Sequence, residues 1–344
     1  MRLPTLPTLR DLRKDAGFAL GVARARPFQL LLQVTNRCNM TCDFCDFWPN
    51  GVAPRLELQV DDFRRLEDQL AQLGTMFISV EGGEPLVRKD IVEILTVLSR
   101  RHVTCLYTNG WFVTPELARA IFAAGVTQVG VSIDYADAAA HDRRRGLEGA
   151  AARAWRAVEL LRAAAPSGGK QVHVMTVLMD DNRHDLERLL QQSEAAGVGH
   201  WITLVSVSGY RRGAGGAMPT AAQSEELLAL HRRYRHFRVF RDYLAGIDAF
   251  TAGDTASLPT CHAGDQSFNI DHVGGVAPCI ERIDWVAGNI KDEPLDAILG
   301  RMRGDARVAA CQRCWTVCRG FAQALGERGT PRGWIDLVGR MRSR

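Results

Sequence analysis

No apolar stretch in this chain approaches the eighteen or so residues that a membrane-spanning helix needs. The N-terminus lacks the apolar core and cleavage site of a secretory signal, so the chain reads as cytoplasmic. A large charge of either sign is missing too. The net charge is +4 with pI near 8.6, which does not favour nucleic acid as a partner. Disulfides are not expected from the nine cysteines of a cytosolic chain.

What is present is length and apolar content: 344 residues, 46% hydrophobic. That suits one large α/β barrel-type domain with an appendage, or two domains. Eight cysteines fall in two groups: Cys38, Cys42 and Cys45, then Cys261, Cys279, Cys311, Cys314 and Cys318. Cys105 stands apart in an apolar run and reads as a buried strand residue. Two groups at opposite ends of the chain suggest two metal sites.

From residue 28 a pattern of apolar run, loop and helix repeats about six times. Strands are expected at 29–34, 76–80, 103–107, 128–133, 171–178 and 200–205. Helices are expected at 60–73, with Asp61 or Asp62 near its cap, and at 91–101, 115–124, 150–165 and 186–196. Such alternation implies a parallel sheet with right-handed crossovers, here a partial barrel. In parallel barrels the chemistry sits at the C-terminal strand ends. The expected divisions are an amphipathic N-terminal helix within 1–27, the barrel at 28–208 and a linker at 209–257. A cysteine-rich domain at 258–320 and a helical tail at 321–344 follow. Residues 209–225 are Gly-rich and suit a lid or linker. A hairpin is expected across 269–277. The basic amphipathic ends leave room for a weak membrane-surface contact.

The spacing CxxxCxxC at Cys38, Cys42 and Cys45 supplies three thiolates. A four-iron cluster normally takes four, so one iron is left open. Further motifs fall at strand ends: Gly82-Gly83-Glu84-Pro85, Thr108-Asn109-Gly110 and Ser132-Ile133-Asp134, with His141 to Gly146 beyond. Together they resemble the radical S-adenosylmethionine superfamily over roughly residues 28–205. The resemblance implies a (β/α)6 partial barrel with a [4Fe–4S] cluster on Cys38, Cys42 and Cys45. The open iron would bind S-adenosylmethionine, whose reductive cleavage gives a 5′-deoxyadenosyl radical that abstracts hydrogen from an unactivated C–H bond. Phe44 matches the position that flanks the adenine. Gly82, Gly83, Glu84 and Pro85 match the motif that receives the methionyl ammonium. Thr108 and Asn109 match cofactor contacts, and Ser132 or Asp134 would touch ribose or carboxylate. Arg145 resembles an arginine pairing the methionyl carboxylate, and Asn182 is a further ribose candidate. His173, His184 and His200 read as ordinary strand or loop histidines.

Cys261, Gly274, Cys279, Cys311, Cys314 and Cys318 resemble the family's auxiliary-cluster extension, in its SPASM or shortened twitch form. Five cysteines cannot ligate two cubanes, so the resemblance implies one auxiliary [4Fe–4S] cluster on Cys261, Cys279, Cys311 and Cys314. A structural zinc site is the alternative. Cys318 is then a spare thiol near the active site, a replacement for Cys311 as ligand, or a hydrogen-atom donor or proton carrier. A flavodoxin or ferredoxin is the implied reductant.

The resemblance suggests maturation of a ribosomally made peptide by crosslinking, epimerisation or oxidation. Only 37 residues precede Cys38, too few for the peptide-recognition domain that many such enzymes carry. Modification of a small molecule or lipid is the second reading, and a non-catalytic iron–sulfur carrier or sensor the third. The oligomeric state is open.

Overall fold

The computed structural model describes residues 8–24, 26–166, 169–209, 217–220, 223–326 and 333–336. Residues 210–216 and 221–222 of the expected lid lie outside the described residues. So do 1–7 of the N-terminal segment, and 327–332 and 337–344 of the tail.

Six strands alternate with helices: β1 (Gln29–Thr35), β2 (Phe77–Gly82), β3 (Val103–Thr108), β4 (Gln128–Ser132), β5 (Gln171–Leu178) and β6 (Gly199–Leu204). The helices before and between them are α1 (Leu9–Ala23), α2 (Val60–Leu73), α3 (Ile91–Leu98), α4 (Pro115–Ala123), α5 (Ala138–Arg145), α6 (Ala150–Ala164) and α7 (Leu186–Ala195). Every neighbouring pair from β1 to β6 is parallel. This is the expected partial barrel. Leu30, Leu32, Ile78, Val80, Leu106 and Val129 form the core against the outer helices. Their strand neighbours Gln29, Ser79, Tyr107 and Gln128 turn to the barrel interior, because successive strand side chains face opposite ways.

Several boundaries shift by a few residues. α3 stops at Leu98, not Arg101, with the Ser99 N–H closing onto the Leu95 carbonyl. α2 is capped by Gln59, whose N–H donates to the Asp62 carboxylate at 2.7 Å. The expected capping acid thus sits three residues inside the helix. A helix at residues 138–145 was not expected. The Asp137 carboxylate caps it, accepting the Ala140 N–H at 2.7 Å.

Beyond the barrel come α8 (Ser224–Arg233), α9 (Arg241–Ala245) and α10 (Ile247–Thr251). The expected hairpin is β7 (Ser267–Ile270) with β8 (Gly275–Ala277), followed by β9 (Gly288–Asn289). β7 also pairs in parallel with β1, from Gln29 with Ser267 to Leu32 with Ile270. The cysteine-rich segment therefore continues the barrel sheet from its open edge, giving among the described residues nine strands in the order β6-β5-β4-β3-β2-β1-β7-β8-β9. Then follow α11 (Leu295–Met302), α12 (Ala306–Ala309) and α13 (Val317–Gly326), with a further helical turn at 333–336. Phe18 of α1, Phe77 and Phe321 of α13 meet beneath the barrel. Among the described residues no helix is long and apolar enough to cross a membrane.

Candidate active site

The loop bearing Cys38, Cys42 and Cys45 leaves the C-terminal end of β1 and is fixed from three sides. The first is the glycine pair. The Gly83 N–H donates to the Thr35 carbonyl at 2.7 Å, and the Glu84 N–H to the Arg37 carbonyl at 2.9 Å. Gly82 has φ +135, and a Cβ there would run into the Thr35 carbonyl. A Cβ on Gly83 would lie 2.6 Å from the Asn36 carbonyl oxygen. Both glycines are thus demanded by close backbone approach to the residues that lead into Cys38.

The second side is the end of α5. The Thr41 N–H donates to the Arg145 carbonyl at 3.2 Å and the Asp43 N–H to the Arg144 carbonyl at 3.3 Å. These are carbonyls the helix itself leaves unsatisfied. Gly146, with φ 65, ends the helix where a Cβ would collide with Thr41. The third side is Asn109, whose Nδ2 donates to Asn39 Oδ1 at 2.8 Å and lies 3.9 Å from Cys38 Sγ.

Glu84 is fully buried. Its Oε1 accepts from the Leu86 N–H (2.9 Å) and the Thr108 hydroxyl (2.8 Å), and its Oε2 from the Asn109 N–H (2.6 Å). Burial pushes its carboxyl up to about 7, against the pull of those donors. Neither Glu84 nor Pro85 lines the cavity described below. Glu84 instead ties the end of β2 to the end of β3 and so presents Thr108 and Asn109.

Asp134 is equally enclosed. Its Oδ1 accepts the Val177 N–H at 2.9 Å, and its Oδ2 accepts from Arg145 Nε at 2.9 Å and Nη2 at 2.5 Å. Arg145 in turn lies 5.5 Å from the Phe44 ring centroid. Asn182 is spent on the backbone, donating to the Asp134 and Val177 carbonyls and accepting the Met179 N–H.

These elements surround a cavity of about 480 Å³. Of the expected site residues, Cys38, Cys42, Phe44, Cys45, Gly82, Gly83, Thr108, Asn109, Ser132, Arg145 and Cys318 line it. Asp134 stands behind Arg145. Burial lifts the Cys38 thiol to about 12 and the Cys42 thiol upward as well. Three soft thiols on one short loop facing one cavity fit an iron–sulfur cubane. Among the described residues no three Cys, His, Asp or Glu side chains converge on a point able to hold a single ion. A cubane does not need that, since each thiolate meets a different iron.

Cys261 precedes β7, Cys279 follows β8, and Cys311 and Cys314 lie between α12 and α13. Burial raises the Cys279 and Cys314 thiols; each also feels the Cys261 thiol and the Glu281 carboxylate, and Cys261 and Cys314 both feel Cys311. The four positions thus share one neighbourhood. Cys318, in the first turn of α13, faces the main cavity.

Ser206, just past β6, and Tyr107 and Trp201 inside the barrel also line the cavity. Sequence reasoning did not single them out. Ser206 had a signal, being a polar residue after a strand like Ser132. The aromatic pair had none, since it reads as ordinary strand core. Gly146 stood in the sequence only as the end of the His141 to Gly146 motif, and its role in ending α5 shows only in the structure.

Comparison with known proteins adds to this geometry. The family model of the radical SAM superfamily matches residues 32–192, and that of an iron–sulfur cluster-binding domain, SPASM, matches residues 261–315. The chain is 30% identical to the mycofactocin maturase MftC of Mycolicibacterium smegmatis, covering 87% of this chain and 78% of that protein. It is 28% identical to an AdoMet-dependent heme synthase of Nitratidesulfovibrio vulgaris, covering 77% of each. Its fold is similar to that of Streptococcus suis SuiB bound to the precursor peptide SuiA. The TM-score is 0.60 at 16% identity, over 90% of this chain and 74% of that one.

Proposed function

This chain belongs to the radical SAM superfamily, and on that premise we propose that it matures a ribosomally synthesised peptide. Its cofactors are a [4Fe–4S] cluster and S-adenosylmethionine, with auxiliary iron–sulfur chemistry in the C-terminal domain. When bound, they supply the 5′-deoxyadenosyl radical that takes hydrogen from an unactivated carbon.

In this reading Cys38, Cys42 and Cys45 hold the first cluster. Arg145, aligned by Asp134, offers its guanidinium to the cofactor carboxylate. Phe44 gives the adenine an aromatic face. Gly82 and Gly83 bring backbone against the cofactor's methionyl end, and Thr108, Asn109 and Ser132 add polar contacts. Glu84 acts as a positioning residue. Cys261, Cys279, Cys311 and Cys314 hold one auxiliary cluster. Cys318 faces the substrate as a hydrogen-atom donor. The reductant is a flavodoxin or ferredoxin.

The observation that carries the peptide reading is the 30% identity to a peptide maturase over 87% of this chain. The fold shared with a protein solved on its precursor peptide is in keeping with it. The 28% identity to a heme synthase favours the second reading, modification of a small molecule. The deciding experiment is anaerobic incubation of the reconstituted protein with reductant and S-adenosylmethionine. Each candidate substrate is added in turn: a short peptide encoded beside the gene, or a heme precursor. The peptide reading expects faster 5′-deoxyadenosine release and a mass change with the peptide. A response confined to the heme precursor overturns it.

A further inference from the structure

The cavity does not end at the cysteine loop. It continues down the barrel interior along Ser79 and Phe77 of β2, Tyr107 and Val103 of β3, and Thr203 and Trp201 of β6. Phe77 and Val103 are the first residues of their strands, so the lumen is lined from one end of the sheet to the other. From the level of Gly82 to that of Phe77 is five residue steps, about 16 Å. Parallel barrels normally fill this space with layers of bulky side chains. Here Ser79 and Thr203 are small. The far end is bounded by Phe18 of α1 and by Val317 and Phe321 of α13, with the Phe77 and Phe321 ring centroids 4.8 Å apart.

Three properties of this distal half define what fits. Its wall is mostly aromatic and aliphatic, interrupted by the Asp15 carboxylate and the Gln29 and Gln128 amides, with Glu81 nearer the cysteine loop. Arg145, at the cysteine end, is the one cation among the described lining residues, so a carboxylate or phosphate deep inside meets like charge and no counter-charge. A threaded peptide needs partners for an N–H and a C=O at every residue, which such a wall does not supply. A single side chain anchored at the mouth does not span the depth. Among the neutral polar groups there, Gln29 is 2% exposed and its Oε1 has no hydrogen-bond partner among the described residues.

We infer that the distal lumen is a binding compartment for an uncharged alkyl or prenyl chain, with the Gln29 amide meeting a hydroxyl at its tip. The compartment is distinct from the cofactor end and does not depend on the peptide reading.

The probe is 11-bromo-1-undecanol, whose bromine quenches tryptophan fluorescence on contact. It is titrated anaerobically into the cluster-loaded protein. Saturable quenching is expected, and Trp201→Phe should diminish the saturable part, Trp48 and Trp334 on the same cavity wall carrying the rest. Val103→Phe, which fills the lumen, should weaken binding roughly ten-fold, as loss of several buried methylenes does. Ser79→Leu fills the same space from another strand should Val103→Phe fail to fold. The carboxylate analogue, 11-bromoundecanoic acid, should bind more weakly because it buries an unpaired charge. Overturning results are absence of saturable quenching, or quenching indifferent to Trp201→Phe and to both filling variants. Preference for a brominated aromatic amino-acid amide over the alcohol also overturns it, assigning the space to a peptide side chain. No turnover is read, so failure here leaves the peptide reading intact.

Discussion

Arg145 places both Nε and Nη2 on a single oxygen of Asp134, and the other oxygen of that carboxylate is taken by the Val177 N–H. The pair is buried, joins α5 to the end of β4, and leaves the Arg145 guanidinium beside Phe44 at the cavity wall. Removing one partner of a buried ion pair strands the other charge. Asp134→Asn should therefore cost about 3 kcal/mol or more in stability, read by urea denaturation. It should also weaken S-adenosylmethionine binding, because the guanidinium loses its alignment. A variant as stable as the parent, with unchanged affinity, would falsify this role.

Gly82, Gly83 and Gly146 hold the cysteine loop by backbone approach. Gly82→Ala and Gly146→Ala each force a Cβ into Thr35 or Thr41 at positive φ. Strain of about 1–3 kcal/mol is expected at each, on top of displacement of the loop. Iron bound per chain should fall while the far-ultraviolet circular dichroism keeps its shape. Gly300→Ala, with nothing within 4 Å of the added carbon, is the control and should load normally.

The C-terminal thiols should separate by iron content. Alanine at Cys261, Cys279, Cys311 or Cys314 should each remove about half the iron, one of two four-iron clusters. Cys318→Ala should keep all of it and lose product formation, while 5′-deoxyadenosine release persists. Iron analysis and electron paramagnetic resonance of the reduced protein read the first. Product mass reads the second. If Cys318→Ala changes neither iron nor turnover, its role as ligand and its role as donor both fail.

Stability should fall in acid. Burial holds His102 and His141 down to about 4, and His173 and His200 down to about 3, below the ordinary 6.5. Below pH 6.5 the unfolded chain takes up protons that the folded chain refuses, so stability drops from about pH 6.5 towards 3. Glu84 opposes this between its ordinary 4.5 and about 7, since its folded form is the one that keeps the proton. These histidines, with His272 held down in the same way, outweigh Glu84 and the upward shifts of Asp15 and Glu67. The thermal midpoint should decline steadily from pH 7 to 4, less steeply in His200→Gln. A midpoint that rises towards acid contradicts the burial of these rings as neutral groups.

The sequence by itself determined the barrel. Alternating apolar runs such as residues 171–178 form a strand wherever two layers of helix or lumen can cover them, and CxxxCxxC carries its chemistry in local spacing. It also marked the strand-end motifs, because polar residues after a buried strand have only the barrel mouth to face. The tertiary structure decided what those motifs do. Glu84 and Asp134 look from sequence like groups that meet the cofactor. Enclosure makes each a clamp on its neighbours, Asn109 and Arg145, because a buried carboxylate takes whatever N–H donors surround it. The pairing of β7 with β1 spans more than two hundred residues, and no local pattern encodes it. The open lumen depends on Ser79 and Thr203 occurring together on separate strands, which no single stretch of sequence displays.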